Sequence, residues 1–387
     1  MKIIITSHTY YPNNDGVQFV TEYLAEGLVK KGNDVTIITN LYPDKTSKEE
    51  EIYNGVKILR INAYTKHTIH HGDKKNYISL IKKLASENDI MINVCTQCAT
   101  TDWILKELDS INIPKILYLH SIWDFKYKID DFSSLKNICS KVFSNIRWKI
   151  YYRTNSKYLK KYNVVTQLHK MDYSYDFFKN KLGIESVIIE NAAEKSFFEK
   201  DDIEKIDVPD KYIINVSNYL KRKNQEKAVK LFLKSNIPDN WELVLIGSAK
   251  NNYYEKIVNI YKKYKENNGS KKIRFLYNIP RNQISTYVKK SSLYFMTSKW
   301  EAFPISLTES MAAGIPFISS NVGIVKYLPG GVVCNNDKEY MFWLEEFTCN
   351  DELRKQFGII GKSKALLNYS VEEKVKQLEQ ILKNQLK

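Results

Sequence analysis

Several signatures are missing from this 387-residue chain, and each absence narrows what it can be. No apolar run approaches the roughly 20 residues needed to cross a bilayer. Lys2 is followed by only four apolar or small residues, Ile3-Ile4-Ile5-Thr6, too few for a secretory core, so the expectation is a cytoplasmic protein. Five cysteines form no disulfide framework, which fits a reducing compartment. Cys95 and Cys98 make a lone C-x-x-C; a redox or zinc role would need a second pair or a thioredoxin-like context, and the sequence has neither. The strand-like 2–6 is not followed by Gly-x-Gly-x-x-Gly but by Ser7-His8-Thr9-Tyr10-Tyr11-Pro12-Asn13-Asn14-Asp15-Gly16, with one glycine, which excludes a dinucleotide-binding turn. Nor does an Asp-x-Asp sit beside a strand end to hold a divalent cation against a diphosphate. His67, His70 and His71 lack a matching carboxylate or thiolate set and read as a polar loop, so no metal is expected.

What is present begins with charge. Lys and Arg number 59 against 44 acids, a net +15, which calls for anionic partners: nucleic acid, anionic lipid or phosphate-bearing substrates. No recognised nucleic-acid module supports the first. Hydrophobic residues at 43% supply packed cores, and the length exceeds one ordinary core, so two domains are expected. Short β-branched runs (2–6, 34–39, 56–61, 90–94, 115–119, 164–166, 186–190, then 212–216, 242–246, 273–276, 293–296, 315–319, 332–334) alternate with amphipathic stretches such as 17–31 and 225–233. That alternation means βαβ units and mostly parallel sheets, an α/β chain of two doubly wound halves with ligands expected in a cleft between them. An acid-rich stretch, 194–210, reads as the linker, and 370–386 as one amphipathic terminal helix.

The densest information lies in 298–316, Ser-Lys-Trp-Glu-Ala-Phe-Pro-Ile-Ser-Leu-Thr-Glu-Ser-Met-Ala-Ala-Gly-Ile-Pro. Pro304 and Gly314 punctuate a helix over 304–313, between strands at 293–296 and 315–318. Glu301 falls where strand gives way to helix, the edge of a parallel sheet where ligands bind and free amides favour an anion. Glu309 is followed by Ser310-Met311-Ala312-Ala313, suited to close packing. Either glutamate could be an ordinary solvated charge. In such apolar company, however, a carboxylate needs a partner, and a ligand hydroxyl would serve.

The pattern Glu301-x7-Glu309, inside Ser-x-x-Glu-x-Phe-Pro and ahead of Ala-x-Gly-x-Pro, resembles the retaining glycosyltransferases of family 4, which have the GT-B fold. The resemblance extends over nearly the whole chain. It implies an N-terminal acceptor-side Rossmann-like domain over 1–200 and a C-terminal nucleotide-sugar domain over 201–367. The terminal helix, 368–387, would pack back on the first domain. The substrate implied is a nucleotide-diphosphate sugar, UDP favoured and GDP the alternative, with no cofactor.

The resemblance also distributes roles. In the family an Arg follows the first strand of the second domain and a Lys comes five residues later, both on the diphosphate. Here Lys223 falls on the Lys position and Asn218 on the Arg position, a departure that Arg222 could make good. As bare sequence, a basic triplet such as Lys221-Arg222-Lys223 is usually a solvated patch. Glu309 would grip the ribose; Glu301, with the segment Phe303, Pro304, Ile305 and Ser306, would hold the sugar and its phosphate. Asn278 and Ile279 match the segment lining the nucleobase pocket. His120, ending the strand 115–119, sits where the family has a His touching the donor sugar, though a lone His is more often structural. Gly16 would approach the donor phosphates, or simply serve a tight turn. Relatives have Gly-Gly where this chain has Asp15-Gly16, which leaves Asp15 without a role. The mechanism implied is front-face transfer with retention.

Residues 136–161 hold eight Lys or Arg and no acid, interleaved with Phe143, Trp148, Tyr151, Tyr152 and Tyr158. Such a helix suits an anionic membrane surface, from which a glycan or polyprenyl-linked acceptor could be reached; a partly buried helix with a solvated basic face reads as well. Two other functions share these features. One is a catalytically silent GT-B binding or assembly subunit; the other is a GT-B sugar-nucleotide epimerase.

Overall fold

The computed structural model describes residues 1–13, 15–42, 47–66, 68–199, 206–267 and 269–387, with backbone only at 129 and 130. Two compact units make up the chain, Met1–Ile189 with Lys374–Lys387, and Glu190–Glu373. The boundary falls at 190, not the expected 201, because the residues just before the expected linker are already built into the second unit. Asn191 Nδ2 donates to the Phe303 carbonyl at 2.7 Å, and the Ala193 amide to the Tyr369 carbonyl at 2.8 Å.

The first unit runs β1 (Lys2–Thr6), α1 (Gly16–Lys30), β2 (Asp34–Asn40), β3 (Glu50–Tyr53), β4 (Val56–Ile61), β5 (Ala63–Lys66), β6 (Ile69–Gly72), α2 (Lys74–Glu87), β7 (Ile90–Val94), α3 (Ala99–Asp102), β8 (Lys115–Tyr118), α4 (Leu135–Leu159), β9 (Val164–Gln167), α5 (Tyr173–Phe177) and β10 (Val187–Ile188). Its eight-stranded sheet has the order β10-β9-β8-β7-β1-β2-β4-β3, parallel except for β3 against β4. β1 and β7 are nearly continuous apolar runs because helices cover both faces of a parallel sheet. Strands β3, β5 and β6 escaped the sequence reading because they are short, largely exposed and carry no apolar run. His70 and His71 therefore lie on a strand of the β5–β6 hairpin instead of a polar loop, while His67 falls outside the described residues.

The second unit follows with α6 (Lys195–Phe198), β11 (Lys211–Val216), α7 (Gln225–Lys234), β12 (Trp241–Gly247), α8 (Asn252–Glu266), β13 (Lys272–Tyr277), α9 (Arg281–Lys290), β14 (Leu293–Met296), α10 (Ile305–Ala313), β15 (Phe317–Ser320), β16 (Gly331–Cys334), α11 (Asp337–Cys349) and α12 (Asp351–Asn368). Its sheet is wholly parallel, ordered β13-β12-β11-β14-β15-β16. The last helix, α13 (Val371–Asn384), belongs to the first unit from Lys374 onward, not from 368. There Val375 packs against Gly27, whose missing side chain makes room for it. Among the described residues no helix is long and apolar enough to cross a membrane.

Candidate functional site

Strand order decides where chemistry can gather. In the second sheet the chain runs outward from β11 to β13, returns to β14 beside β11, and runs outward again, so the order reverses between β11 and β14. The carboxyl ends flanking such a reversal leave a crevice for ligands. The two loops that emerge there are sewn together. The Lys299 amide donates to the Arg222 carbonyl at 2.8 Å, and Thr297 Oγ1 to the Asn224 carbonyl at 2.8 Å. Gln225, fully buried, donates to Ser217 Oγ at 2.8 Å and to the carbonyls of Ser217 and Asn218 at 3.1 and 3.0 Å. Asn224 takes a left-handed turn, φ 56°, into α7.

This stitching places Lys223 Nζ 2.5 Å from Glu301 Oε1, with Arg222 Nη1 3.9 Å from Oε2. Glu301 is 8% exposed, so the ion pair is shielded, while the Arg222 side chain is 48% exposed. Two cations against one acid leave net positive charge at the strand ends. Behind the loop, Gly323 lies with φ 53°, where a Cβ would meet the Ala302 and Glu301 carbonyl oxygens at 2.3 and 2.4 Å.

α10 begins at Ile305 with Pro304 as its N-cap, one residue later than the sequence suggests, and ends on Gly314 at φ 76°. No side chain caps its start and no acid sits in its first turn, so its first-turn amides suit an anion. Glu309 lies mid-helix at 3% exposure. A partner for the buried carboxylate is present inside the protein. Arg281 Nη2 bonds Glu309 Oε1, and Arg281 Nη2 and Nε also bond Glu194 Oε1 at 3.0 and 3.1 Å. The guanidinium lies over the Phe197 ring, 5.4 Å from its centroid. Burial pushes the Glu309 carboxyl above its ordinary value, against the pull of Arg281. Asn278, at φ 54°, and Ile279 precede Arg281 on the loop after β13 and lead straight to this ion-pair cluster. Glu301 and Glu309 thus form two separate charge centres, one with Lys223 and one with Arg281.

In the first unit the reversal lies between β7 and β1. His8 follows β1, Cys95 follows β7 and His120 follows β8. Among the described residues, buried His8 Nδ1 and His120 Nε2 have no hydrogen-bond partner. Burial, then the neighbouring His8, hold the His120 imidazole down to about 3 against the pull of Asp15; burial lowers His8 likewise. Both rings are therefore neutral at neutral pH. Gly16 is the first residue of α1, and Asp15 is its N-cap, accepting from the Val17 and Gln18 amides at 3.0 Å each. Asp15 Oδ2 also accepts from Thr9 Oγ1 and Asn13 Nδ2 at 2.6 and 2.8 Å, so the residue that had no role fixes this loop. The C-x-x-C thiols are buried; burial pushes Cys98 up to about 11 and Cys95 higher, so neither is a reactive thiolate.

α4 buries Trp148, Tyr152 and Leu159 and exposes Leu135, Val142, Phe143, Ile146 and Ile150, which fall on one stripe at helical spacing. The outward face is therefore apolar with basic flanks, not basic throughout. A cavity of about 380 Å³ lined by Phe143, Ile146, Trp148, Ile150, Tyr151 and His70 opens beside it.

Arg281, Glu194 and His8 went unremarked in the sequence because each acquires its neighbours only through folding; the single hint was a lone Arg at a helix start.

Residues 196–337 match the family described as glycosyl transferases group 1. An uncharacterized glycosyltransferase of Haemophilus influenzae is 25% identical over 386 residues, spanning 95% of this chain and 96% of its own. Sucrose-phosphate synthase from Thermosynechococcus elongatus has the same fold at a TM-score of 0.77 and 14% identity, over 99% of this chain and 98% of its own. So does Anabaena Alr3699/HepE in complex with UDP, at a TM-score of 0.72 and 13% identity, over 99% of this chain and all of its own. The two Rossmann-like units of this chain thus have the GT-B fold of these structures, and its likeness to the glycosyl transferases group 1 is carried by residues 196–337.

Proposed function

We propose that this chain is a retaining, family 4 hexosyltransferase. It moves sugar from a nucleotide-diphosphate donor to a glycan or polyprenyl-linked acceptor in envelope or exported polysaccharide synthesis. The observation that carries the reading is the shielded Lys223–Glu301 pair, with Arg222 beside it, at the strand-order reversal of the second sheet. UDP is favoured over GDP as the carrier, supported by the UDP complex of the Anabaena relative.

In this reading Lys223, Arg222 and the first-turn amides of α10, at Ile305 and Ser306, face the diphosphate. Phe303 and Pro304 shape the approach to it. Asn218 adds an amide in place of a cation. Glu301 orients Lys223 and accepts from a sugar hydroxyl; Glu309 accepts from the ribose; Asn278 and Ile279 border the base. His120, neutral, offers its unpaired Nε2 to a sugar hydroxyl. Gly16 lets the sugar come close, while the Asp15 carboxylate beside it disfavours phosphate there, leaving the diphosphate to the second unit's cations. The bond from the anomeric carbon to the phosphate oxygen breaks as the acceptor oxygen bonds the same face, and the acceptor proton passes to the departing phosphate. Preorganised cations and amides stabilise the charge that develops on that leaving group, the part a divalent ion plays elsewhere. The α4 stripe, apolar with Lys136, Lys149, Arg153 and Lys157 about it, docks on anionic lipid from the cytoplasmic side.

Incubation with UDP- and GDP-sugars and a polyprenyl-linked acceptor, with and without EDTA, tests the reading. It expects a product of retained anomeric configuration, released nucleoside diphosphate and indifference to EDTA. Inversion would overturn the mechanism. Nucleotide binding without turnover would mark a silent subunit, and free sugar released from donor alone an epimerase. Sedimentation with anionic and with neutral vesicles, at low and high salt, tests the surface; equal binding to both removes it.

A further inference from the structure

We propose that Arg281 is the positioning residue for Glu309, dividing its guanidinium between Glu194 and Glu309 so that Glu309 stays ionised and aimed at the hydroxyls of a ribose. The inference rests on the reading of Glu309 as the ribose contact.

Ribose offers a carboxylate two O–H donors, and only the ionised form accepts at both oxygens; a protonated carboxyl presents a donor of its own. Ionisation is what this site resists. Leu307, Thr308, Ser310, Met311 and Ala312 are buried around Glu309, and a carboxylate so placed takes up a proton unless a charge opposes it. Arg281 is the opposing charge. As the first residue of α9, after the N-cap Pro280, its backbone is set by the helix start. Its side chain is gripped by Glu194 Oε1 at two nitrogens and by the Phe197 face, which leaves Nη2 directed at Glu309 Oε1. A planar guanidinium can serve two carboxylates and lie over a ring at once, whereas an ammonium is a single point of charge. Among the described residues, the bond made to Glu309 is that of Arg281, at Oε1. Oε2 and the second lone pair of Oε1 are thereby left to accept from the ribose hydroxyls of the proposed ligand. Arg281 also lies two residues beyond Ile279, so the segment bordering the base and the group that orients the ribose contact move as one loop.

The charged and titratable groups facing Glu309 are Arg281 from α9, Glu194 from the segment before α6, and Tyr294 from β14. Burial and Glu194 favour the protonated carboxyl, and Arg281 opposes both. Its removal therefore raises the pH at which Glu309 ionises, and ribose recognition at neutral pH fades while recovering in alkali.

Calorimetric titration of the full chain with UDP and with 2′-deoxy-UDP, from pH 6 to 9, tests this, with GDP and ADP as further probes. Wild type should favour UDP over its deoxy analogue by about tenfold or more, the worth of a hydrogen bond to a charged group, and hold that ratio across the range. Arg281→Met should bring the ratio near one at pH 7 and recover it toward pH 9. Arg281→Lys should fall between, and Glu194→Gln should shift the profile less. The last two remain informative if the methionine variant does not fold, with melting temperature and circular dichroism monitoring the fold. With turnover, the loss should appear in the donor KM and not in kcat. If wild type binds none of the nucleotides, the ribose reading itself falls. If wild type discriminates and the Arg281 variants keep its ratio and pH profile, Arg281 is a structural ion pair only and the inference is overturned.

Discussion

Replacing Lys223 by methionine separates what the ion pair at the sheet reversal does for stability from what it does for transfer. The substitution keeps the stem and removes the charge 2.5 Å from Glu301, whose side chain is 8% exposed. Stranding one member of a buried pair costs about 3–5 kcal/mol. Here Lys223 is 17% exposed and Arg222 stands 3.9 Å from the other carboxylate oxygen, so the lower figure of about 2–3 kcal/mol applies. For a unit of this size that lowers its melting temperature by about 4–12 °C. Transfer should suffer more, because a cation lost from a departing diphosphate costs about 10²–10³ in rate. The double variant Lys223→Met/Glu301→Gln has no stranded charge and should regain wild-type stability to within about 1 kcal/mol, since neutral replacement of a buried pair is nearly free. It should not regain activity. Calorimetric melting and kcat/KM for sugar transfer are the two assays. Should both variants keep kcat/KM within about threefold of wild type while the single variant loses stability, the pair is structural and the reasoning about the clamp is wrong.

Three further outcomes follow from the same geometry. His120, held at about 3 against an ordinary 6.5, contributes stability that is present above 6.5 and lost as pH falls from 6.5 toward 3, so His120→Gln should flatten the acid limb of melting temperature against pH. Some slope should persist, because burial lowers His8 as well. Gly323→Ala adds a Cβ 2.3 Å from the Ala302 carbonyl oxygen at a positive φ; it should lower the melting temperature and weaken nucleotide binding, and unchanged binding would show that loop to be independent of the site. A thiol reagent should label exposed Cys139 and Cys349 in the native protein and reach buried Cys95, Cys98 and Cys334 only after unfolding, by mass spectrometry.

Local signals carried much of the architecture. The strands of both sheets that are buried on two faces were legible as apolar runs, and α10 was legible from Pro304 and Gly314 to within a residue, because helix punctuation is a property of neighbouring backbone groups. Strands β3, β5 and β6 were not, since an exposed strand has no apolar period to display. The glutamates themselves were found by spacing, but their partners were not. Lys223 and Glu301 are 78 positions apart, and Arg281 and Glu309 are 28 apart.

By itself, then, the sequence determined an alternating α/β chain, the position of an acid at a strand-to-helix junction, and a net charge suited to phosphate. Tertiary structure alone decided that β14 returns beside β11, which sets Lys223 against Glu301, and that α9 packs on α10 and α6, which sets Arg281 between Glu309 and Glu194. Spacing along the chain reports the backbone's local preference, whereas the partner of a buried charge depends on which distant segments the sheet order makes neighbours.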